Sequence, residues 1–491
     1  MTYAIAGGHE LTVQAAEEIL KTGGNAIDAA IAAFVMSWVT EPCMSSAGGG
    51  AFAMVHQKGN SPILFDFFCQ TPQSKRPTEE LDFVPIEVDF GDTVEIFYAG
   101  QGSTAVPGAV AGIFAMHKYG GNMPMAELVQ PAIGAAKEGV TVNRFQQLDF
   151  QLLEPILRRS GKAEQLFFKE GTLVQVGDQM QMPQLADFLE ILAKEGADLF
   201  YKGEVAQSIV RDYAIGGDLT LKDFSDYQVI WRKPLQLSYG NYELFTNPAP
   251  SLGGPLIAKL LQLLDGKAKS PHLASEHILK WYEALRTLEQ IPRQPAYIQQ
   301  LIQKEMQTRR GSTTHFNVVD GKGNAVSLTS TNGEGNGYFI DHTDIQLNNM
   351  LGEAALLPKG YHTWLPNQRL SSMMAPSMVF DTQQQLEITL GSGGAGRIAT
   401  AITQVLHLLL DHQLPLAEAV QAPRVHLEKE VFNMEYGFAA YPSSQQLDRP
   451  GNAWKEQSLY FGGVHTVARH GNGWVAVGDQ RRDGVARSGG G

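Results

Sequence analysis

Apolar residues near the start of the chain fall three and four apart. Leu11, Ala15, Ile19 and Leu20 make one helical stripe, which stops at Gly23-Gly24. Asn25 is placed to cap a second helix that ends before Pro42. SSAGGGAFAMV (45–55) reads as a glycine-rich turn entering a strand, and PILFDFF (62–68) as its partner after a turn at Lys58-Gly59-Asn60. From Pro107 to about Gln303 the pattern is mainly helical, as in PGAVAGIFAMHKYG (107–120), MAELVQPAIGAAKEG (125–139) and GGPLIAKLLQLLDG (253–266). After Arg310 strands take over. THFNVV (314–319) and AVSLTST (325–331) flank DGKGN, a hairpin signal. LEITL (386–390), a helix over 397–412 and short C-terminal strands follow. With no internal repeat and no low-complexity linker, helices around two antiparallel sheets predict a layered α+β sandwich rather than a βαβ winding.

The 491 residues would make about three domains at ~150 residues each. A hydrophobic share of 43% supplies a large core. The net charge of −13, spread along the chain, argues against nucleic acid or an anionic membrane as partner. Cys43 and Cys69 sit in apolar, glycine-rich contexts and read as buried thiols. There is no CxxC and no HExxH, and no histidine pair has a spacing that by itself carries a zinc site, so no metal is implied. The most apolar stretch, AIDAAIAAFVMSWV (26–39), is too short to span a bilayer and contains Asp28. The first residues lack a basic and an apolar leader region, which makes a cytoplasmic location the expectation, or a periplasmic or secreted one if a leader has been removed.

The hairpin holds the candidate chemistry. With 320–324 as its loop, Val319 faces Ala325 and Thr313 falls opposite Thr331. A threonine hydroxyl is a poor nucleophile unless a base is held beside it. One solution makes the threonine the first residue of a chain, so that its own α-amine is the base; the bond before it must then be cut. On the hairpin alone, Thr313, Thr314 and Thr331 read as ordinary β-branched strand residues before they read as catalytic ones.

The segment TTHFNVVDGKGNAVSLTST resembles the TTHxSVVDxxGNAVxxT segment of the γ-glutamyltranspeptidase family, N-terminal-nucleophile hydrolases made as one chain that cuts itself before the first Thr. GGNAIDAAIAA, EPCMSSAGGGAF, PGAVAGIFAMHKYG, LVQPAIGAAKEG, LNNMLGE, RLSSMMAPS and GSGGAGR follow the family's order over nearly the whole length. The resemblance implies a four-layer αββα sandwich, cut into a large chain of residues 1–312 and a small catalytic chain of 313–491. Thr313 would be the nucleophile, Ser312–Thr313 the scissile bond, and Thr331 the residue whose hydroxyl bonds the nucleophile. GSGGAGR stands for the family's GSPGGSR, whose paired glycines offer backbone N–H groups to the oxyanion; here the positions are Gly394 and Ala395. Ala395 serves as well as glycine provided its φ is negative. Ser371 and Ser372 match residues that hold the substrate carboxylate, Glu353 one that holds its ammonium, and Asn332 a further family Asn across a short deletion. The implied partners are a small γ-glutamyl donor such as glutathione and an amino-acid, peptide or water acceptor, with no metal or organic cofactor. His315 reads as a structural strand residue.

The family's DFRE motif, whose Arg pairs with the substrate α-carboxylate, reads DFFC here, with Phe68 at the Arg position. Phe cannot make a bidentate, charge-assisted bond. Lys75 and Arg76 are the nearest cations in sequence, and the segment from Glu353 to Ser371 is short where longer relatives carry a lid. These departures raise two alternatives: an acylase on the same scaffold with a dicarboxylate-like or apolar acyl group, and an unprocessed relative that only binds. GSGGAG (391–396) also fits a dinucleotide fingerprint, with Asp411 twenty residues on, but that acid ends an apolar helical run rather than a second parallel strand.

Overall fold

The computed structural model describes residues 2–89, 94–265, 270–290, 312–357, 359–428 and 430–490. Its main sheets use, in chain order, β1 (Thr2–Gly7), β2 (Gly50–His56), β3 (Ile63–Phe67), β4 (Ile230–Arg232), β5 (Leu235–Tyr239) and β6 (Tyr242–Thr246). They continue with β7 (Thr313–Val319), β8 (Ala325–Thr331), β9 (Ser377–Asp381), β10 (Leu386–Gly393), β11 (Gly463–His470), β12 (Gly473–Val477) and β13 (Val485–Gly490). One sheet runs β4-β3-β2-β8-β7-β1-β13 and the other β5-β6-β9-β10-β11-β12, every neighbouring pair antiparallel.

Helices α1 (Glu10–Lys21), α2 (Ala26–Thr40), α3 (Ala109–Gly120) and α4 (Met125–Glu138) cover the outer face of the first sheet, with α5 (Arg144–Leu157) beside them. Helices α6 (Gly253–Leu264), α7 (Ser275–Gln290) and α8 (Ile398–Leu410) cover the second. The two sheets face each other through β7 and β10, which gives the αββα order of layers. Asn25 caps α2 as expected: its side chain accepts from the N–H of Ile27 and Asp28, and Asp28 answers by accepting from Asn25 N–H. All fifteen residues of α2 are buried, as an all-round apolar helix requires. Among the described residues, no helix is long and apolar enough to cross a membrane.

β7 is buried from end to end, yet its residues alternate in character. Phe316 and Val318 join the core under α2, each burial stabilising by ~1.5–3 kcal/mol. The other face meets the second sheet with polar groups that are paired: Asn317 bonds Thr389 and the His465 carbonyl, and His315 Nδ1 bonds Thr329 Oγ1. Gly391 on β10 exists because the His315 ring stands where a Cβ would be, 2.3 Å away. That close approach of two sheets, with β10 antiparallel to both neighbours, accounts for the glycine run without a dinucleotide.

The mainly helical reading of 107–303 needs correction. β4, β5 and β6 lie inside it, β4 and β5 as edge strands of the two sheets and β6 beside β5. Their short alternation, as in LQLSY, binds too few residues to stand out against the flanking helices. Residues 291–303 of that region lie outside the described residues.

Candidate active site

The hairpin register pairs Thr313 with Thr331, as the loop count predicts. In the uncut chain the Thr331 hydroxyl does not bond the Thr313 side chain. It donates to the carbonyl oxygen of Ser312 at 2.6 Å and accepts from Gly333 N–H at 3.0 Å. The expectation is therefore corrected for this state: while the Ser312–Thr313 peptide is intact, its carbonyl holds the hydroxyl. Gly333 reaches this position with φ +63°, and the Glu353 carboxylate lies 2.3 Å from where its Cβ would be.

Charged groups gather on one side of the bond. Ser312 N–H points to Glu334 Oε1 and Ser312 Oγ to Asp149 Oδ1, each at 3.4 Å. Thr314 Oγ1 donates to Glu41 Oε1 at 2.7 Å, and Arg482 donates to the Thr313 carbonyl at 3.1 Å. Burial pushes Glu41 up to about 7, partly offset by the Thr314 bond. Asp149 keeps some surface, but its carboxyl turns inward and burial pushes it up to about 6, with Arg482 opposing. Burial lowers Arg482 to about 10, helped by repulsion from Arg397. The loop carrying Arg482 is fixed by Asp479, which bonds Arg424 at 2.6 Å and accepts from Val464 N–H.

Sequence reasoning missed these groups. Glu41 opens EPCMSSAGGGAF, where nothing local marks it as a charged group beside the hairpin. Asp149 had a signal, an acid four residues from Phe145 and Leu153 on one face of α5. Arg482, far down the chain, had none.

The other side of the bond is a small cavity of about 40 Å³. Phe68, Ser312, Thr313, Thr331, Glu353 and Ser372 line it together with Ala395, Ile398 and three methionines, 350, 373 and 374. Phe68 is fully buried and packs on Phe52 with ring centroids 5.4 Å apart. Among the described residues lining the cavity, none is Lys or Arg. Lys75 instead donates to the His362 carbonyl and covers the Trp364 ring, and Arg76 donates to the Ala214 carbonyl. Arg369 comes near but serves the scaffold, donating to the Phe68 and Gln228 carbonyls and pairing with Asp66.

Two expected residues stand back from the cavity. Ser371 donates to the Pro250 carbonyl, and Asn332 turns its amide toward the Gln346 carbonyl. Ser372, which does line it, accepts from Met374 N–H.

The end of β10 lies against Thr313: a Cβ on Gly393 would stand 2.1 Å from the Thr313 carbonyl oxygen. Gly394 follows with φ +122° and Ala395 with φ +46°. The condition of a negative φ, under which alanine would serve as well as glycine, is thus not met at Ala395. The chain must turn from β10 into α8 within four residues, 394–397, and a left-handed step does this at a cost of ~1–3 kcal/mol for a residue with a Cβ. His315, neutral because burial and then His465 depress its pKa well below the usual value, is tied to Thr329 and has a structural place. Both cysteines are free and buried.

A family model described as gamma-glutamyltranspeptidase matches residues 12–291 and 270–489. The glutathione hydrolase proenzyme of Pseudomonas aeruginosa is 30% identical over 98% of this chain and 94% of its own. The acylase ACY 1 proenzyme of Pseudomonas sp. (strain SE83) is also 30% identical, over 98% and 93%. Among solved structures, cephalosporin acylase from Bacillus halodurans superposes with a TM-score of 0.81 over 99% of this chain and 95% of that one, at 22% identity, a likeness of fold. The chain belongs to the γ-glutamyltranspeptidase family.

Proposed function

We propose that the chain cuts itself between Ser312 and Thr313 and then works, through the freed Thr313, as an acyl enzyme that hydrolyses or transfers the γ-glutamyl group of glutathione or related amides. The observation that carries this is the Thr331 hydroxyl, 2.6 Å from the Ser312 carbonyl oxygen at the mouth of the cavity. Thr313 Oγ attacks the Ser312 carbonyl carbon, and negative charge grows on the oxygen that Thr331 already bonds. The C–N bond breaks, the nitrogen takes a proton and becomes the α-amine of Thr313, and an ester joins Ser312 to Thr313 Oγ. Water then splits the ester into the Ser312 carboxylate and the free hydroxyl. The buried carboxylates Glu334, Asp149 and Glu41 surround the place where the first proton must go.

Ser312 itself lines the cavity, so its release would leave room for an acyl group. In turnover the α-amine of Thr313 takes the hydroxyl proton, the oxygen attacks the amide, and the backbone N–H groups of Gly394 and Ala395 receive the oxyanion. Glu353 would hold the donor's ammonium and Ser372 its carboxylate. Ser371 and Asn332 would act from behind, by holding the loop and the turn. Proenzyme forms of the relatives support the cut, and glutathione hydrolase among them supports the donor.

Phe68 favours a second reading, an acylase whose acyl group carries no α-carboxylate. Comparing γ-glutamyl-4-nitroanilide with an alkanoyl 4-nitroanilide separates the two. Preference for the first, lost in Thr313→Ala, is expected; preference for the second would move the donor to the acylase class.

A further inference from the structure

Helix α8 starts at the loop beside Thr313 and carries one histidine near its far end, ~20 Å away for thirteen residues. His407 lies in its last turn. The chain then folds back, with His412 N–H donating to the His407 carbonyl, and the two rings stand 4.9 Å apart. His277, from the first turn of α7, brings a third ring at 5.3 Å from His412 and 5.8 Å from His407. One ring nitrogen from each lies within 4.8 Å of the other two.

The surroundings point to a ligand. His407 Nδ1 bonds Asp411 Oδ2 at 2.9 Å, and that oxygen also accepts from Tyr239 OH at 2.6 Å. A carboxylate only accepts, so a proton sits on Nδ1 and Nε2 is the nitrogen that would face a metal ion. Metal-bound histidines are oriented in this way, one nitrogen on the ion and the other on a carboxylate. His277 is buried and the other two rings are partly buried; Trp281 packs on His407 with ring centroids 5.9 Å apart and His272 stands 6.4 Å from His412, and water would complete the ligand set. A tetrahedral ion with bonds of about 2.0–2.1 Å needs its donors about 3.4 Å apart, so closing the site takes a shift on the order of an ångström.

We propose that His277, His407 and His412 form a site for a divalent, imidazole-preferring metal ion, Zn²⁺ foremost, with Asp411 orienting His407. Such an ion does no chemistry on the acyl group, which lies a helix length away. Its effect is to fasten α7 to α8. His277 precedes the Ser312–Thr313 bond and the other two histidines follow it. If the chain is cut there, which rests on the function proposed above, the ion ties the two fragments together.

The test uses tag-free full-length protein stripped with a chelator and titrated with Co²⁺. One equivalent should bind with the visible d–d absorption of a tetrahedral nitrogen site, and Zn²⁺ should displace it. His412→Gln and His407→Gln should weaken binding at least 100-fold, and Asp411→Asn about 10- to 100-fold. The uncut Thr313→Ala chain should bind Co²⁺ as the wild type does, which keeps this result separate from self-cleavage. Absence of the band, or a band that both histidine variants keep, would overturn the proposal and leave the rings as packing groups.

Discussion

On one side of the Ser312–Thr313 bond the protein buries charge; on the other it buries apolar surface. Glu41, Asp149 and Arg482 stand behind the bond, their pKa values displaced by burial. Phe68, Ile398 and three methionines stand in front of it, around one carboxylate, Glu353. Burying charges costs several kcal/mol each unless they are well paired, and packed apolar residues would be cheaper there. On the function proposed above, the charged side would move protons at one peptide bond and the apolar side would mould an acyl group. A larger cavity, about 710 Å³, opens at the other end of the same hairpin, beside Gly323, His56 and Arg469. Size alone points there, but the hydroxyl-to-carbonyl contact lies at the smaller cavity.

The comparison can be broken on either side. Thr331→Val keeps the side-chain shape at the Ser312–Thr313 bond and removes the donor to the Ser312 carbonyl. Self-cleavage, followed by denaturing gel, should slow about 10²–10³-fold; an unchanged rate would remove Thr331 from the reaction. On the apolar side, Phe68→Arg restores a cation next to Glu353, and kcat/KM toward γ-glutamyl donors should rise about tenfold. No rise would mean that the pocket takes an acyl group without an α-carboxylate.

The displaced carboxyls give a pH test. Glu41 and Asp149 bind protons more tightly in the fold than in the unfolded chain. Their contribution favours folding below about pH 4 and is lost as pH rises toward about 7. In the uncut Thr313→Ala background, Glu41→Gln should escape part of that loss, so its Tm advantage should grow by a few degrees across this range. A constant difference would show that Glu41 does not titrate there. The smallest effect is expected at Ala395→Gly, which relieves the left-handed step and should add about 1 kcal/mol of stability in a denaturant melt. A loss of stability would mean that the Ala395 methyl makes contacts worth more than the strain.

Much of this was legible in the chain because the signals were local. The caps of α1 and α2 and the turn at 320–324 are short-range features, and the turn sets which residues of β7 and β8 face each other. What stayed hidden depends on distant parts of the chain. Arg482 meets Thr313 from 169 residues away. Arg369 sits beside the serines yet spends its guanidinium on the end of β3. No spacing rule joins His277 to His407 and His412, because the fold alone puts α7 beside α8. The backbone sign at Ala395 is set by a sharp exit from β10, which the residue type argues against.

The most direct test of the central claim is the intact mass of wild-type protein under denaturing conditions, with N-terminal sequencing of what is found. Two fragments, the smaller beginning at Thr313, are the predicted result. A single uncut chain, or a cut at any other bond, would contradict the account.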